Sequence, residues 1–292
     1  MKWYHAIFLW FVGNISMQSA QAQSPVNGFM QGKGKGSAVI SYYTEEYIRA
    51  YEAPVNSGVQ VTTKVKSAIV SAFTTFGLSN KVDLQINLPN AKAIGEVTKE
   101  IRDNIGPKNE KRGLQDISVY LKYNPVNFKF GKSNLSVLGA AGLSTPFGDY
   151  EIDQEYQSAV SIGSRSTQLT GLFLLHYKLD LGLFFTGSAG YCLRSNNVPN
   201  AAIVEFKTGF AGRHFYVDGY VARQASSSVN IAANSQNNIA AFSGSNVNYS
   251  RIGINLFAPV VKKFGVAAGF SQYINGRSEG ESGGYGALIY TF

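Results

Sequence analysis

The chain has 292 residues, a formal charge of +8, 15% charged residues, 13% aromatics and 31 glycines. Soluble domains carry about 25% charged residues, so an ordinary water-soluble globule is disfavoured. Past the first two dozen residues no run of 18 apolar residues occurs. The best candidate, 171–190, is broken by His176, Lys178 and Asp180, which excludes an apolar transmembrane helix and leaves strands to use so much aromatic surface.

In chain order, residues 1–22 read as a secretory signal peptide. Lys2 precedes a short apolar core at 6–12, and Ala20-Gln21-Ala22 supplies an A-x-A cleavage site before Gln23. The lone Cys192 cannot form an internal disulfide, so no disulfide framework holds an exported fold together. Residues 23–36, QSPVNGFMQGKGKG, are polar and Gly-rich with Phe29 and Met30 as apolar islands. Two readings stay open for them: a disordered periplasmic lead-in, or a short segment tucked into the fold as a plug.

A first strand is expected over 37–47, and a second over about 61–77 ends in a tight turn at 78–80. The third, 81–88, alternates cleanly: Val82, Leu84, Ile86 and Leu88 on one face, Asp83, Gln85 and Asn87 on the other. A long charged loop over 89–112 follows, in which 91–105 fits a helical turn or two. The fourth strand, 113–123, sets Ile117, Val119 and Leu121 against Asp116, Ser118, Tyr120 and Lys122. A turn over 124–132 leads to a fifth strand, 133–145, which Pro146 ends.

A loop then runs to about 165. The sixth strand (167–177) and seventh (181–192) are joined at 178–180. These two, and the second, are apolar on both faces in part, so their orientation stays open. The eighth, 201–210, sets Ala202, Val204 and Phe206 against Glu205 and Lys207. The ninth, 214–223, sets Phe215, Val217 and Val221 against His214, Tyr216, Asp218 and Tyr220. After a Ser/Asn loop at 225–246, the tenth strand, 247–257, sets Ile252, Ile254 and Leu256 against Arg251 and Asn255. A turn at 258–262 and an eleventh strand at 263–273 lead to the closing stretch, 283–292.

That stretch, GGYGALIYTF, ends on an aromatic and places Leu288, Tyr290 and Phe292 on one face. An unpaired apolar edge invites aggregation, whereas a last strand paired with the first leaves no edge. About twelve strands with alternating short turns and long loops predict an all-β, antiparallel transmembrane barrel, both termini periplasmic. A soluble β-sandwich accounts for the alternation but not for an aliphatic face that persists around the chain. Leu288, Tyr290 and Phe292 also resemble the C-terminal assembly signal of outer-membrane barrels, which implies insertion by the barrel-assembly machinery into the outer membrane of a Gram-negative-type envelope. Tyr290 and Tyr123 suit an interface girdle.

Residues 113–117, GLQDI, followed by Lys122-Tyr123, resemble the G-L-G-D-I/L…K/R-Y motif of the phenol-degradation (MetA-pathway) outer-membrane family. Residues 142–148, GLSTPFG, are similar to that family's G-L…P-T-G strand end. The family groups with FadL-type channels for hydrophobic compounds. The resemblance implies a passive channel for small apolar or aromatic molecules, often with an N-terminal plug.

The expected lumen-facing set is Asp83, Gln85, Asn87, Asp116, Tyr120, Lys122, Glu205, Lys207, Tyr216, Asp218, Tyr220, Arg251 and Asn255. Buried charges must pair, and Lys207 and Asp218 sit on one hairpin at a separation that suits a side-by-side pair. The tyrosines offer an apolar solute ring area and a polar tip. The charges also fit a purely structural role in a filled barrel, with activity carried by the loops at 89–112 and 225–246. A barrel hydrolase needs a hydroxyl within reach of His176 or His214, and neither lies in a nucleophile motif, so no enzyme is expected. No metal site or cofactor is implied. The expected partners are outer-membrane lipid, lipopolysaccharide and a small apolar solute, with no nucleic acid.

Overall fold

The computed structural model describes residues 25–52, 60–96, 110–148, 166–196, 198–227, 248–276 and 282–292. The signal peptide at 1–22, residues 97–105 of the helical reading, and the bulk of the loops at 149–165 and 228–246 lie outside the described residues. Thirteen strands follow one another: β1 (Gly36–Glu52), β2 (Gln60–Gly77), β3 (Val82–Glu96), β4 (Glu110–Leu114), β5 (Asp116–Phe130), β6 (Ser133–Pro146), β7 (Gln168–Lys178), β8 (Leu183–Arg194), β9 (Ala201–Ala211), β10 (Tyr216–Ser226), β11 (Tyr249–Val261), β12 (Phe264–Gly276) and β13 (Ser282–Thr291). Every pairing is antiparallel, and β1 pairs with both β2 and β13. Because β2 also pairs with β3, the sheet closes on itself.

Twelve staves make this barrel, since β4 and β5 both pair with β3 and form one stave broken at Gln115. The break has a local cause. Gln115 lies opposite Pro89, whose ring nitrogen cannot donate to a ladder. The Gln115 N–H donates to the Pro89 carbonyl at 2.9 Å, and Pro89 has no N–H to return.

Prolines also account for three corrections to the expected boundaries. The predicted turn at 124–132 is strand through Phe130, with a register shift between Tyr123 and Val126 around Pro125. The predicted turn at 258–262 is strand to Val261, with a shift around Pro259. The predicted charged loop at 89–112 is strand at both ends, β3 to Glu96 and β4 from Glu110, so residues 91–96 are extended and not helical. In each case the chain absorbs a missing donor with a bulge or a break and keeps its direction.

Short turns gather at one end: 78–81, 131–132, 179–182, 212–215 and 262–263. Gly131 and Gly182 adopt positive φ, 60° and 93°, which a two- to four-residue reversal requires. The start of β1 meets Phe292 at this rim, where Gly36 N–H donates to Phe292 O at 3.1 Å and Phe292 N–H returns to Gly36 O at 3.0 Å.

Side chains alternate as a barrel in lipid demands. Leu121, Phe206, Ile254, Leu256 and Leu288 face outward. Exposed aromatics meet along the short-turn rim, Phe76 stacked on Phe292 at 6.3 Å and Phe264 tilted against Tyr290 at 5.0 Å. Toward the opposite end, ion pairs appear on the outer wall, Lys66–Glu46 at 3.8 Å and Lys92–Glu110 at 2.9 Å. Those stretches extend past the apolar band.

The three strands of open orientation resolve through what fills the lumen. In β2, β7 and β8, Phe73, Leu172, Leu174 and Phe184 point inward and pack against Phe29 or Val26 of the N-terminal segment. Their outward partners Val70, Phe173 and Phe185 face lipid. Both faces are apolar because one meets acyl chains and the other meets this segment.

Candidate functional site: the barrel lumen

Residues 25–31 lie inside the short-turn half of the barrel. Val26, Asn27, Phe29 and Gln31 are buried. Phe29 sits at the centre of an aromatic cluster, edge-on to His176 at 4.5 Å and to Phe184 at 5.1 Å, with Tyr216 at 6.2 Å. The His176 ring is held between these rings and a hydrogen bond from or to Thr186 Oγ1 at 2.8 Å. Gly28 lies so close beneath His176 that any Cβ would overlap the imidazole.

The segment's backbone is clamped by a buried ion pair. Asp83 and Lys122 face each other directly across β3 and β5, with Nζ 3.2 Å from Oδ2 and both side chains fully enclosed. Lys122 Nζ donates to the carbonyls of Asn27 (3.3 Å) and Phe29. The Gln31 N–H donates to both Asp83 carboxylate oxygens, at 3.3 and 3.1 Å. Each charge thus uses its spare hydrogen-bonding capacity on the segment, which is how a buried pair offsets its desolvation. The GKGKG run then carries the chain out over the rim. Gly32 and Gly34 take positive φ, and Gly34 N–H donates to Gly77 O at 2.8 Å.

A second cluster lines the opposite wall. Tyr216 donates its hydroxyl to Asp218 Oδ2 at 2.6 Å, Asn255 Nδ2 donates to Asp218 Oδ1 at 2.7 Å, and Tyr285 donates to Asn255 Oδ1 at 3.1 Å. Lys207 pairs with Glu205 at 3.8 Å and stands over the Tyr220 ring. This corrects the expected Lys207–Asp218 pair. The register sets Lys207 opposite Tyr220 and Asp218 opposite Gly209, leaving the two diagonal, while Glu205 is two residues along the same strand face.

Nearer the long-loop end, Arg251 donates to the Tyr43 hydroxyl at 2.5 Å and to Ser271 Oγ, and its guanidinium stacks over Tyr273 at 5.0 Å. Tyr43 in turn donates to Glu45 at 2.5 Å. Arg194 reaches Gln224 at 3.3 Å.

The thirteen predicted lumen residues are all placed on the inner wall. Asp83, Gln85, Lys122, Glu205, Lys207, Tyr216, Asp218, Tyr220, Arg251 and Asn255 are buried, whereas Asn87, Asp116 and Tyr120 are half-buried. His214 alone departs from its predicted face, because it belongs to the exposed turn before β10. Sequence reasoning missed Tyr43, Glu45, Tyr273, Tyr285 and Phe29. Tyr43 and Glu45 share one face of β1, so alternation would have found them; nothing local marks Phe29, whose partners are contributed from across the barrel.

A recurrent detail shapes the wall. Tyr120 faces Gly142, Tyr220 faces Gly253 and Tyr285 faces Gly269 directly across the ladder, and each ring lies over its glycine where a Cβ would collide. The rings therefore lie along the wall. Buried hydroxyls of Ser37, Ser71 and Thr75 on β1 and β2 face the same lumen with no hydrogen-bond partner in the chain.

No family model matches the chain, and no curated protein matches it in sequence. Among solved structures it is similar to an outer membrane channel, COG4313, from Pseudomonas putida F1, with TM-score 0.65 and 10% identity over 95% of this chain and 100% of that one. The translocator domain of the autotransporter NalP from Neisseria meningitidis matches at TM-score 0.47 and 10% identity, covering 89% of each chain. The Pseudomonas putida toluene transporter TodX matches at 0.39 and 4% identity, over 88% of this chain and 89% of that one; these last two likenesses are too weak to carry an argument. At such identities the likeness speaks for the fold, and the chain has the fold of an outer-membrane β-barrel.

Proposed function

We propose that this barrel is a narrow outer-membrane channel for passive passage of small hydrophobic or aromatic compounds, with the short-turn rim and both termini in the periplasm. One observation carries the reading: the lumen wall is lined by tyrosine rings laid flat over glycines, between an apolar cluster around Phe29 and polar networks at Asp218 and Arg251. Flat rings give a planar apolar solute contact area, and their hydroxyls keep the path wet enough to leave. The motif resemblance at 113–123 and 142–148 agrees with this substrate class.

A second reading, a structural barrel acting through its extracellular loops, is favoured by the packed short-turn half of the lumen. Solute uptake by proteoliposomes separates the two. Wild type should pass phenol-sized aromatic solutes several-fold faster than sugars of similar mass, and Tyr120→Ala and Tyr216→Ala should change the aromatic rate more than the sugar rate. Equal permeability to large sugars and aromatic solutes would mean a general pore. No flux of either would leave the structural reading.

A further inference from the structure

The outer wall carries a feature that a solute channel does not use. Where β1 and β2 meet, three of the four outward side chains are small: Ala38 faces Thr74, and Ala72 faces the larger Ile40. Larger groups stand on both sides, Ile86 and Leu88 of β3 on one flank, Tyr290 of β13 and Phe264 of β12 on the other. The end of the β11–β12 hairpin adds Val260 and Val261. Together they enclose an open groove of about 600 Å³, apolar almost throughout, on the lipid-facing side beside the short-turn rim.

The rim above this groove is cationic. Lys262 and Lys263 form the hairpin turn between β11 and β12, and both are exposed. Lys263 Nζ is held 5.7 Å from the Tyr290 ring centroid, and Tyr290 lines the groove. Elsewhere along the described short-turn rim stand Lys33, Lys35, Lys81, Lys129, Lys132, Lys178 and Arg213. Among the described residues the one exposed acidic side chain there, Asp180, is paired with Lys132 at 3.5 Å, on a different turn.

We infer that this groove is a binding site for one anionic glycerophospholipid of the surrounding leaflet, an acyl chain lying over Ala38, Ala72 and Thr74 and the phosphate held by Lys262 and Lys263. In a bilayer the chain gains no hydrophobic energy by entering the groove, because lipid tails are as apolar as the wall. The groove therefore sets position, and the two ammonium groups set headgroup preference, each weighted about fivefold near an anionic surface. The Tyr290 ring helps by fixing Lys263 where chain and headgroup join.

Native mass spectrometry of the folded full chain in detergent tests this, titrating phosphatidylglycerol, phosphatidylcholine of the same chains, lipid A and inorganic phosphate separately. Wild type should retain one phosphatidylglycerol at roughly a tenth of the concentration needed for phosphatidylcholine, and millimolar phosphate should not displace it. Lys262→Gln with Lys263→Gln should erase that preference, and Ala72→Phe, which fills the groove from a lipid-facing position, should weaken retention of both phospholipids. Lys129→Gln, on another rim hairpin, should change nothing. The inference is overturned if phosphatidylglycerol shows no preference, if lipid A is retained more tightly, if Lys129→Gln costs as much as the Lys262/Lys263 pair, or if Ala72→Phe has no effect. Gel migration of unheated samples confirms that each variant is folded before it is scored.

Discussion

At the scale of single residues, the Asp83–Lys122 pair is where the lumen is least forgiving. Both side chains are fully enclosed, and their remaining capacity goes to the backbone of Asn27, Phe29 and Gln31. Lys122→Ala leaves a buried carboxylate without its cation, which costs about 3–5 kcal/mol, whereas Lys122→Met combined with Asp83→Asn costs less because no lone charge remains. Urea unfolding of the refolded barrel, followed by tyrosine fluorescence and circular dichroism, measures the difference. The tyrosine–glycine contacts make a separate prediction. Gly142→Val drives the Tyr120 ring off the wall and into the lumen, so aromatic flux should fall several-fold in a folded barrel. The charges were legible from alternation alone: a lysine or aspartate between aliphatics in a strand has one affordable direction. Their partners were not, as Lys207 shows. A cross-strand ion pair depends on register, and register is set by turns and bulges that single-sequence patterns place to within a few residues.

At the scale of elements, strands are legible from the sequence, and Pro146 does end β6, but three other prolines mislead. Pro125 and Pro259 look like strand ends, yet each sits in a bulge that the strand passes through, and Pro89 sits opposite a break in its partner. Between Tyr123 and Val126 three steps on β5 span two on β6, from Gly139 to Val137. Deleting Pro125 therefore restores a continuous ladder and keeps Asn124 and Leu138 facing inward. Deleting Leu121, inside the regular ladder, turns the downstream side chains to the wrong face. The fraction folded in detergent should stay near wild type for the first deletion and collapse for the second. The N-terminal segment is the element that sequence left undecided. Its composition fits a loose lead-in, and only the apolar inner faces of β2, β7 and β8 hint that something must cover them. That hint is physical: an inward Phe184 or Leu174 in a watery lumen has no other reason to be there.

At the scale of the whole molecule, closure is the organising fact. β13 pairs with β1 from Ser37 opposite Thr291 to Glu46 opposite Ser282, so no edge strand remains. The outward faces of the described strands form a largely apolar belt, and an arginine placed there should cost about 2–4 kcal/mol near the bilayer midplane. Ile254→Arg is such a change, and comparing its stability in bilayers with that in detergent isolates the lipid contribution. This level was the most legible of all, because composition, alternation and the spacing of turns each require the same closed sheet.

We propose that the segment clamped by Asp83 and Lys122, filling the short-turn half of the lumen, narrows the tyrosine-lined path through this closed sheet. The direct measurement is solute flux into proteoliposomes for the mature chain against the same chain lacking residues 25–31, both shown to be folded. The shortened chain should pass aromatic solutes faster and lose most of the full chain's discrimination against sugars. Identical flux for the two chains would contradict it.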